Sequence, residues 1–358
     1  AQGEICILKN AWIFIENDVI AQVGTGTAPA AVGVQIINAG GKLVTPGLVD
    51  AHTHLIFGGW RQNELALKLY GAGYLDILAA GGGILSTMRA TKAASEEQLE
   101  AKASAALDEM LRFGTTTAEA KSGYGLSTGE ECKALRVIGK LQKHHVMDLA
   151  ATFMGAHAVP EAYRDNRQGY LELLCEEMLP AVREQGIAEF CDVFCEKGVF
   201  SAEESRRILL TGRQHGLRPK IHADEIKAIG GSVLAGELGA TSAEHLIVID
   251  DAGMASMARG GTIAMCLPAT SFYLGATFAP ARRMIDEFEI PVAMASDFNP
   301  GSCPSLNLQF VMNLGYLKYR MTPEEILTAV TINPACGIGR GETVGTLEAG
   351  KQADLVIW

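Results

Sequence analysis

Eight short apolar runs recur along this chain, each followed by a loop or a helix, and that alternation constrains the fold more than any other feature. The runs read LVTPGLVDAHTH, TTTAEA, MDLAATFMGAH, AEFCDVFCE, RPKIHAD, ATSAEHL, GTIAMCLP and IPVAMASD. Helix starts between them show Ser or Thr followed three residues later by Glu or Gln, the reciprocal capping pattern. These are Ser95/Gln98, Thr128/Glu131, Ser201/Glu204 and Thr322/Glu325, the last with Pro323 in the favoured first helical position. After Ser95, the spacing places Leu99, Ala103, Ala106, Leu107, Met110 and Leu111 on one helical face before a stop at Gly114. Eight strands alternating with helices predict an α/β fold, a (β/α)8 TIM-like barrel with a closed parallel sheet. A doubly wound open sheet would normally carry a Gly-rich first βα turn. The one Gly-rich candidate, AGGGIL at 80–85, follows no strand and is a weak phosphate signal.

The two chain ends differ from this middle. ICILKNAWIFIENDVIAQVGTG is apolar, broken by turn residues such as Asn17-Asp18, and has no helical period; it predicts several short strands. VGTLEAGKQADLVIW is again strand-like around a Glu-Ala-Gly turn. We therefore expect residues 1–44 and 346–358 to pair into a small β-domain, a β-sandwich flanking a barrel of residues 45–345. The apolar run stopping at Trp358 predicts that this domain is incomplete in the present sequence.

Composition narrows the function. Apolar residues make up 48% and charged residues 20% of the 358, the profile of a soluble chain with a large core. No apolar run approaches the ~20 residues of a membrane span, and no basic start precedes a short apolar stretch, so no signal peptide is expected. The net charge is −11 without any Lys/Arg stripe, which argues against nucleic acid or an anionic membrane as partner. An anionic substrate would need local cations to receive it. The eight cysteines form no CxxC pair and several lie in strand-like runs, as expected of reduced, buried thiols in a cytoplasmic protein.

Polar residues collect where the strands end, the face on which barrels build active sites. The first run ends in Asp50-Ala-His52-Thr-His54, and residues two apart on a strand point the same way. His222 ends the fifth run, His245 the sixth and Asp297 the eighth. Taken singly, each of these residues is more commonly a hydrogen-bonded core residue or a cap. Together, imidazoles and a carboxylate converging from four strands suit one borderline-hard metal. Glu225, three residues past His222, is placed to accept or deliver a proton.

PGLVDAHTH, IHADE, SAEHL and SDFNPG together resemble the metal-dependent amidohydrolase superfamily. GGWRQNELALKLYGAGYLDILAAGGGILSTMRAT, AKSGYGL, TFMGAHAVP, DVFCEKGVFS and LPATSFYLG resemble, within it, the imidazolonepropionase family, which acts third in histidine degradation. The resemblance runs over nearly the whole chain, and the Arg61-to-Thr91 block with KSGYGL is its most specific part. It implies hydrolysis of the ring amide of 4-imidazolone-5-propanoate to N-formimino-L-glutamate with one metal, zinc or iron. It implies His52, His54, His222 and Asp297 as ligands, with Glu225, His245 and Asp297 as the catalytic groups that move protons or polarise the carbonyl. It also implies substrate contacts from Arg61, Tyr124, His157, Glu225, Asn299, Gly301 and Ser302, and a homodimer as the assembly. Arg61 suits a two-pronged grip on a carboxylate that lysine could not reproduce.

Three other readings compete. A deaminase of an aminated heterocycle would share the metal set but has no need of Arg61 or KSGYGL. A binuclear enzyme needs a bridging group from the fourth strand, where only Cys195, Glu196 and Lys197 stand. Lys121 lies after the second strand, the wrong place for a carboxylated bridging lysine. A non-catalytic barrel relative would have lost ligands that are all present here. Of the remaining residues, His144 and His145 read as solvated, His215 as a helix end and Cys191 and Cys195 as buried packing, while Arg89 reads equally as a spare carboxylate-gripping cation or as a surface or interface arginine. TTTAEA is less apolar than a barrel strand should be, and Phe298 and Cys303 stand at positions that vary in the family.

Overall fold

An antiparallel hairpin opens the computed structural model, which describes residues 2–29, 32–71 and 82–358. Strands β1 (Ala11–Glu16) and β2 (Val19–Thr25) are joined by Asn17-Asp18. Both turn residues have left-handed φ, 51° and 63°, as a two-residue hairpin turn requires. Only these two strands form in the amino-terminal run; Ile5–Leu8 is irregular. The first long apolar run breaks in two. β3 (Val44–Pro46) turns away from the barrel, while β4 (Leu48–Asp50) enters it. The pivot is Gly47, packed so closely on Thr116 that an added Cβ would sit 2.1 Å from its hydroxyl.

The barrel continues through β5 (Thr115–Lys121), β6 (Asp148–Ala156), β7 (Phe190–Cys195), β8 (Arg218–Ala223), β9 (Ser242–His245), β10 (Ile263–Cys266) and β11 (Val292–Met294). β4 to β11 form one sheet, each strand paired in parallel with its sequence neighbour, so all eight expected runs supply a strand. Between β4 and β11 the barrel closes at its mouth through the segments just beyond the strands. Thr53 bridges Phe298 in parallel, the His54 N–H donates to the Phe298 carbonyl at 2.9 Å, and the Asp297 N–H to the His52 carbonyl at 3.1 Å. The Ser296 N–H adds a bond to Asp50 Oδ1 at 3.0 Å. The last strand, β12 (Leu355–Ile357), pairs antiparallel with β3, and Gln352 bridges Val19, so the two chain ends meet outside the barrel.

Helices cover the outside. Helix Glu96–Arg112 buries Leu99, Ala103, Leu107 and Met110, but Leu111 lies beyond the buried stripe and is exposed. Reciprocal capping boxes form at Ser95, Ser201 and Thr322. The fourth expected box, Thr128/Glu131, does not. The Thr128 hydroxyl bonds Glu177 at 2.5 Å, and Glu131 turns inward to serve the preceding loop. His215 ends helix Ala202–Gln214 as expected, and His144 is exposed. His145 is packed instead: its ring faces Asp108 at 3.3 Å and accepts the Met147 N–H at 3.1 Å. All eight cysteines are free and five are buried, Cys191 and Cys195 among them. Among the described residues no helix is long and apolar enough to cross a membrane.

The weak apolarity of TTTAEA has a structural cause. Alternate residues of a barrel strand point inward, and the inward residues Glu119 and Lys121 join Asp192, Lys220 and Glu244 in a fully buried charged layer across four strands. Gly83, in the AGGGIL stretch, begins helix Gly83–Ala93 and donates its N–H to Glu64 Oε1 at 2.6 Å, so a carboxylate of the chain itself occupies that helix start. Residues 80 and 81 of that stretch, and 72–81 of the Arg61-to-Thr91 block, lie outside the described residues.

Candidate active site

The polar strand ends meet at the mouth of the barrel. His52 and His54 lie on the extended segment after β4, two residues apart, with both rings turned inward and buried. His222 comes from β8, and the ligand atoms of these three histidines lie within 4.8 Å of one another. His222 Nε2 is 3.4 Å from His54 Nε2. Asp297 Oδ1 is 3.5 Å from the Nε2 atoms of both His52 and His54. A tetrahedral ion with bonds of ~2.0–2.1 Å would separate its ligands by about 3.4 Å, so these spacings already match the edges of such a site.

The hydrogen-bond accounting points the same way. Buried polar atoms are nearly always paired. Here His52 Nδ1 and Nε2, His54 Nδ1 and Asp297 Oδ1 have no hydrogen-bond partner among the described residues. Burial, together with the Lys121 ammonium and neighbouring rings, holds His52 well below the ordinary imidazole range. Burial and the His157 ring do the same to His54, so both present neutral lone pairs. Asp297 is oriented by Thr270, whose hydroxyl donates to Oδ2 at 2.5 Å and leaves Oδ1 toward the histidines. Three clustered imidazoles with a buried carboxylate 3.5 Å from two of them suit one divalent metal.

His222 differs in having a carboxylate behind it. Its Nδ1 is 3.1 Å from Asp192 Oδ1, on β7, and a ring N–H donated there leaves Nε2 facing the cluster. Burial opposes ionisation of Asp192, but the His222 ring and the Lys121 ammonium overcome it and hold the carboxyl well below its usual range. Burial likewise opposes charge on His222, yet Asp192 raises its pKa above the ordinary value.

Beside the cluster stand Glu225 and His245, with Glu225 Oε2 3.6 Å from His245 Nε2. Burial pushes the Glu225 carboxyl up to about 7, with the Glu196 carboxylate adding to it and His222 opposing. Burial lowers His245 to about 3, so its ring is neutral. Glu196, the fourth-strand bridging candidate, accepts backbone N–H groups of Lys197, Ile226 and Lys227 and so holds the loop after β8. Lys121 is no bridging ligand; its ammonium is paired with Glu119 and Asp192 inside the barrel. His245 and Asp297 both lie in the left-handed region, with φ of 69° and 55°.

The remaining predicted residues form one wall. The His157 ring stacks on His54 with centroids 4.9 Å apart, and its Nδ1 is 3.0 Å from the Gly123 carbonyl. Tyr124 lies 5.2 Å from His157 and 6.0 Å from His54 between ring centroids. Arg61 reaches from the loop after β4 to the turn at 299–302: a Cβ on Gly301 would fall 1.0 Å from its Nη2, so only glycine fits beneath the guanidinium. Among the described residues its Nε has no hydrogen-bond partner, and Glu64 lies 3.9 Å away. Asn299 builds that turn, its Oδ1 accepting the N–H groups of Gly301 at 2.8 Å and Ser302 at 2.7 Å. Its Nδ2 bonds the Asp297 carbonyl at 2.7 Å and Ser302 Oγ at 2.9 Å, which ties the turn to the segment that carries Asp297. Phe298 packs beneath on Phe57 and Trp60.

Sequence reasoning missed Asp192, Thr270 and Glu131, each of which acts through another residue. Asp192 carried a readable signal: a lone carboxylate inside the apolar run FCDVFC. Glu131 carried a misleading one, since its spacing from Thr128 imitates a capping box.

Comparison with known proteins follows the same lines. The model of the amidohydrolase family matches residues 43–358. The imidazolonepropionase of Alkaliphilus metalliredigens is 52% identical over 99% of this chain and 85% of its own length. That of Bacillus cereus is 51% identical over 100% of this chain and 85% of its own. Among solved structures, the 5-methylcytosine deaminase of Klebsiella pneumoniae, liganded with phosphonocytosine, superposes with a TM-score of 0.73 at 17% identity, covering 96% of this chain and 87% of that one. A mutant atrazine chlorohydrolase of Arthrobacter aurescens, complexed with zinc and atraton, gives 0.73 at 18% identity over 96% of this chain and 81% of that one. At these identities the two structures speak to the barrel fold.

Proposed function

Because this chain belongs to the amidohydrolase family, and within it to the imidazolonepropionases, we propose that it opens the ring amide of 4-imidazolone-5-propanoate with water, giving N-formimino-L-glutamate. The observation that carries this reading is the pairing of the His52/His54/His222/Asp297 cluster with an arginine held over Gly301, in a chain half identical to enzymes of that name. His52, His54, His222 and Asp297 would hold one metal, zinc or iron, since imidazole and carboxylate suit both. When bound, it supplies a Lewis-acidic charge that makes hydroxide available near neutrality and polarises a carbonyl.

The chain's own residues supply the rest. Arg61, seated over Gly301, grips the propionate carboxylate with its planar fork. Tyr124 and His157 line the ring side, with the Gly123 carbonyl fixing the proton of His157 on Nδ1. Asn299 and Ser302 hold the turn that seats Arg61 on Gly301. Glu225, poised near 7, takes a proton from the attacking water and returns it to the ring nitrogen as the C–N bond breaks. Neutral His245 donates its ring N–H to the oxygen on which charge develops. Asp297 combines metal ligation with orienting the water.

A homodimer in the cytoplasm completes the reading, with a small anionic substrate and neither nucleic acid nor membrane as partner. The acidic balance supports the last point, and eight free cysteines support a reducing compartment. The apolar Phe272, Leu274, Tyr316 and Leu317, all exposed, support a covered surface. The test is turnover of freshly generated 4-imidazolone-5-propanoate with metal content measured on the same preparation. Rapid ring opening with about one metal per chain, lost in Arg61→Ala, is the expected result. A loaded enzyme that ignores this substrate but deaminates a neutral heterocycle overturns the assignment.

A further inference from the structure

A barrel interior is ordinarily filled by apolar layers. In this one the layer beneath the histidines is ionic. Lys121 Nζ lies 2.7 Å from Asp192 Oδ2 and 2.8 Å from Glu119 Oε2. Lys220 Nζ lies 2.9 Å from Glu119 Oε1, 3.5 Å from Glu244 Oε1 and 3.2 Å from the Ala51 carbonyl. Every one of these five side chains is fully buried. Neutral donors add to it: the Thr152 hydroxyl bonds Glu119 Oε1 at 2.5 Å, the Ser242 hydroxyl bonds Glu244 Oε1 at 2.5 Å, and the Ile221 N–H bonds Glu244 Oε2 at 3.1 Å. Such a layer is weak evidence for stability, because desolvation of buried charges offsets much of their attraction. A specific task explains it better.

The layer touches the candidate metal centre through Asp192, which bridges the Lys121 ammonium and His222 Nδ1. We propose that Lys121 is a positioning residue for the metal centre: it pins Asp192, and Asp192 in turn fixes the tautomer and orientation of the His222 ring. An ionised Asp192 accepts the Nδ1–H of His222, so the Nε2 lone pair points at the cluster, 3.4 Å from His54 Nε2. Without the ammonium, Asp192 loses the partner at 2.7 Å that holds its carboxylate against His222, and the ring is freed to rotate or to change tautomer. Lys220 is equally buried and equally ionic, but it contacts Glu119 and Glu244 and does not contact Asp192. It is the natural control for a merely structural effect.

The inference rests on the reading that His52, His54, His222 and Asp297 hold a divalent metal. The experiment measures zinc affinity of the full-length protein by competition with a chromophoric chelator, for the wild type, Lys121→Met, Asp192→Asn and Lys220→Met. Circular dichroism confirms folding of each. Lys121→Met and Asp192→Asn should each weaken zinc roughly 10- to 100-fold, the usual effect of losing the partner behind a ligating histidine. Their double variant should be little worse than either, because both act through one ring. Lys220→Met should stay within about threefold of the wild type on the same reasoning. A folded Lys121→Met with unchanged affinity, or equal losses in Lys121→Met and Lys220→Met, overturns the proposal. A wild type that binds no zinc or iron refutes the metal reading instead. Nitrogen-15 spectra of the metal-free wild type, acquired with His222→Gln for assignment, then decide the positioning role alone. They should place a ring proton on Nδ1, and an Nδ1 that carries none overturns it, whatever the fate of the buried variants.

Discussion

Glu131→Gln offers a sharp test of how the substrate wall is held. The Glu131 carboxylate is fully buried and accepts three backbone N–H groups: Gly123 at 2.9 Å on Oε2, and Gly125 and Leu126, both at 2.8 Å, on Oε1. This is the loop that carries Tyr124 and the Gly123 carbonyl facing His157. The loop can approach so closely because residue 125 is glycine; an added Cβ would sit 2.6 Å from the Glu130 and Glu131 backbone. Glutamine keeps one oxygen, enough for Gly125 and Leu126, but turns its NH2 toward the Gly123 N–H. One charge-assisted bond is lost and a buried donor is left facing a donor, a cost of about 2–3 kcal/mol. If the loop yields, that energy appears as a fall in the competent population and raises the apparent KM roughly 30- to 150-fold, with kcat nearly unchanged. If the loop holds, it appears as a melting temperature lower by several degrees. Steady-state kinetics and calorimetry on one preparation separate the two. Metal content should not change, since Glu131 touches no proposed ligand. KM and melting temperature both equal to the wild type would refute the reasoning.

Other outcomes follow from groups already described. Glu225 must be ionised to act as a base, so kcat/KM should rise with pH through a midpoint at about 7 and level off above it. Its raised folded-state pKa also means the unfolded chain ionises first, so the stability it contributes is full below about 4.5 and lost as pH rises toward about 7. Metal-free Glu225→Gln should therefore melt higher than the wild type at high pH and match it in acid; a higher melting point at every pH would contradict this. Arg61→Lys should raise KM about 10-fold or more, because a point charge cannot reproduce the fork; near-wild-type kinetics would remove Arg61 as the carboxylate anchor. Thr322→Ala deletes a formed capping box and should cost about 1 kcal/mol in denaturant unfolding without affecting turnover.

Much of this was legible because barrel strands announce themselves twice, by an apolar run and by a polar residue where the run ends. That double signal located all eight strands and brought His52, His54, His222, His245 and Asp297 to one mouth. The illegible part is whatever depends on which way a residue turns. Gly47 splits one apparent strand because of a contact with Thr116, sixty-nine positions on in the chain. Glu131 leaves its helix start for three N–H groups in the loop before it. His145 packs because Asp108 happens to face it. Tertiary partners decide such cases, and local spacing carries no record of them.

His245 and Asp297, together with Asp224 and Leu246, hold left-handed backbone without being glycine, and they do so at the mouth of the barrel. Such conformations cost on the order of 1 kcal/mol each for a side chain bearing Cβ. Selection for thermal stability and selection for turnover therefore pull these positions in opposite directions. A library screened for heat resistance alone should accumulate glycine or asparagine at 245 and 297, and would grow hardier as it fell silent. One screened for activity should refuse both changes and gather its gains elsewhere, in helix caps and surface loops. The rim of this barrel thus marks where the chain is held away from its own most stable sequence.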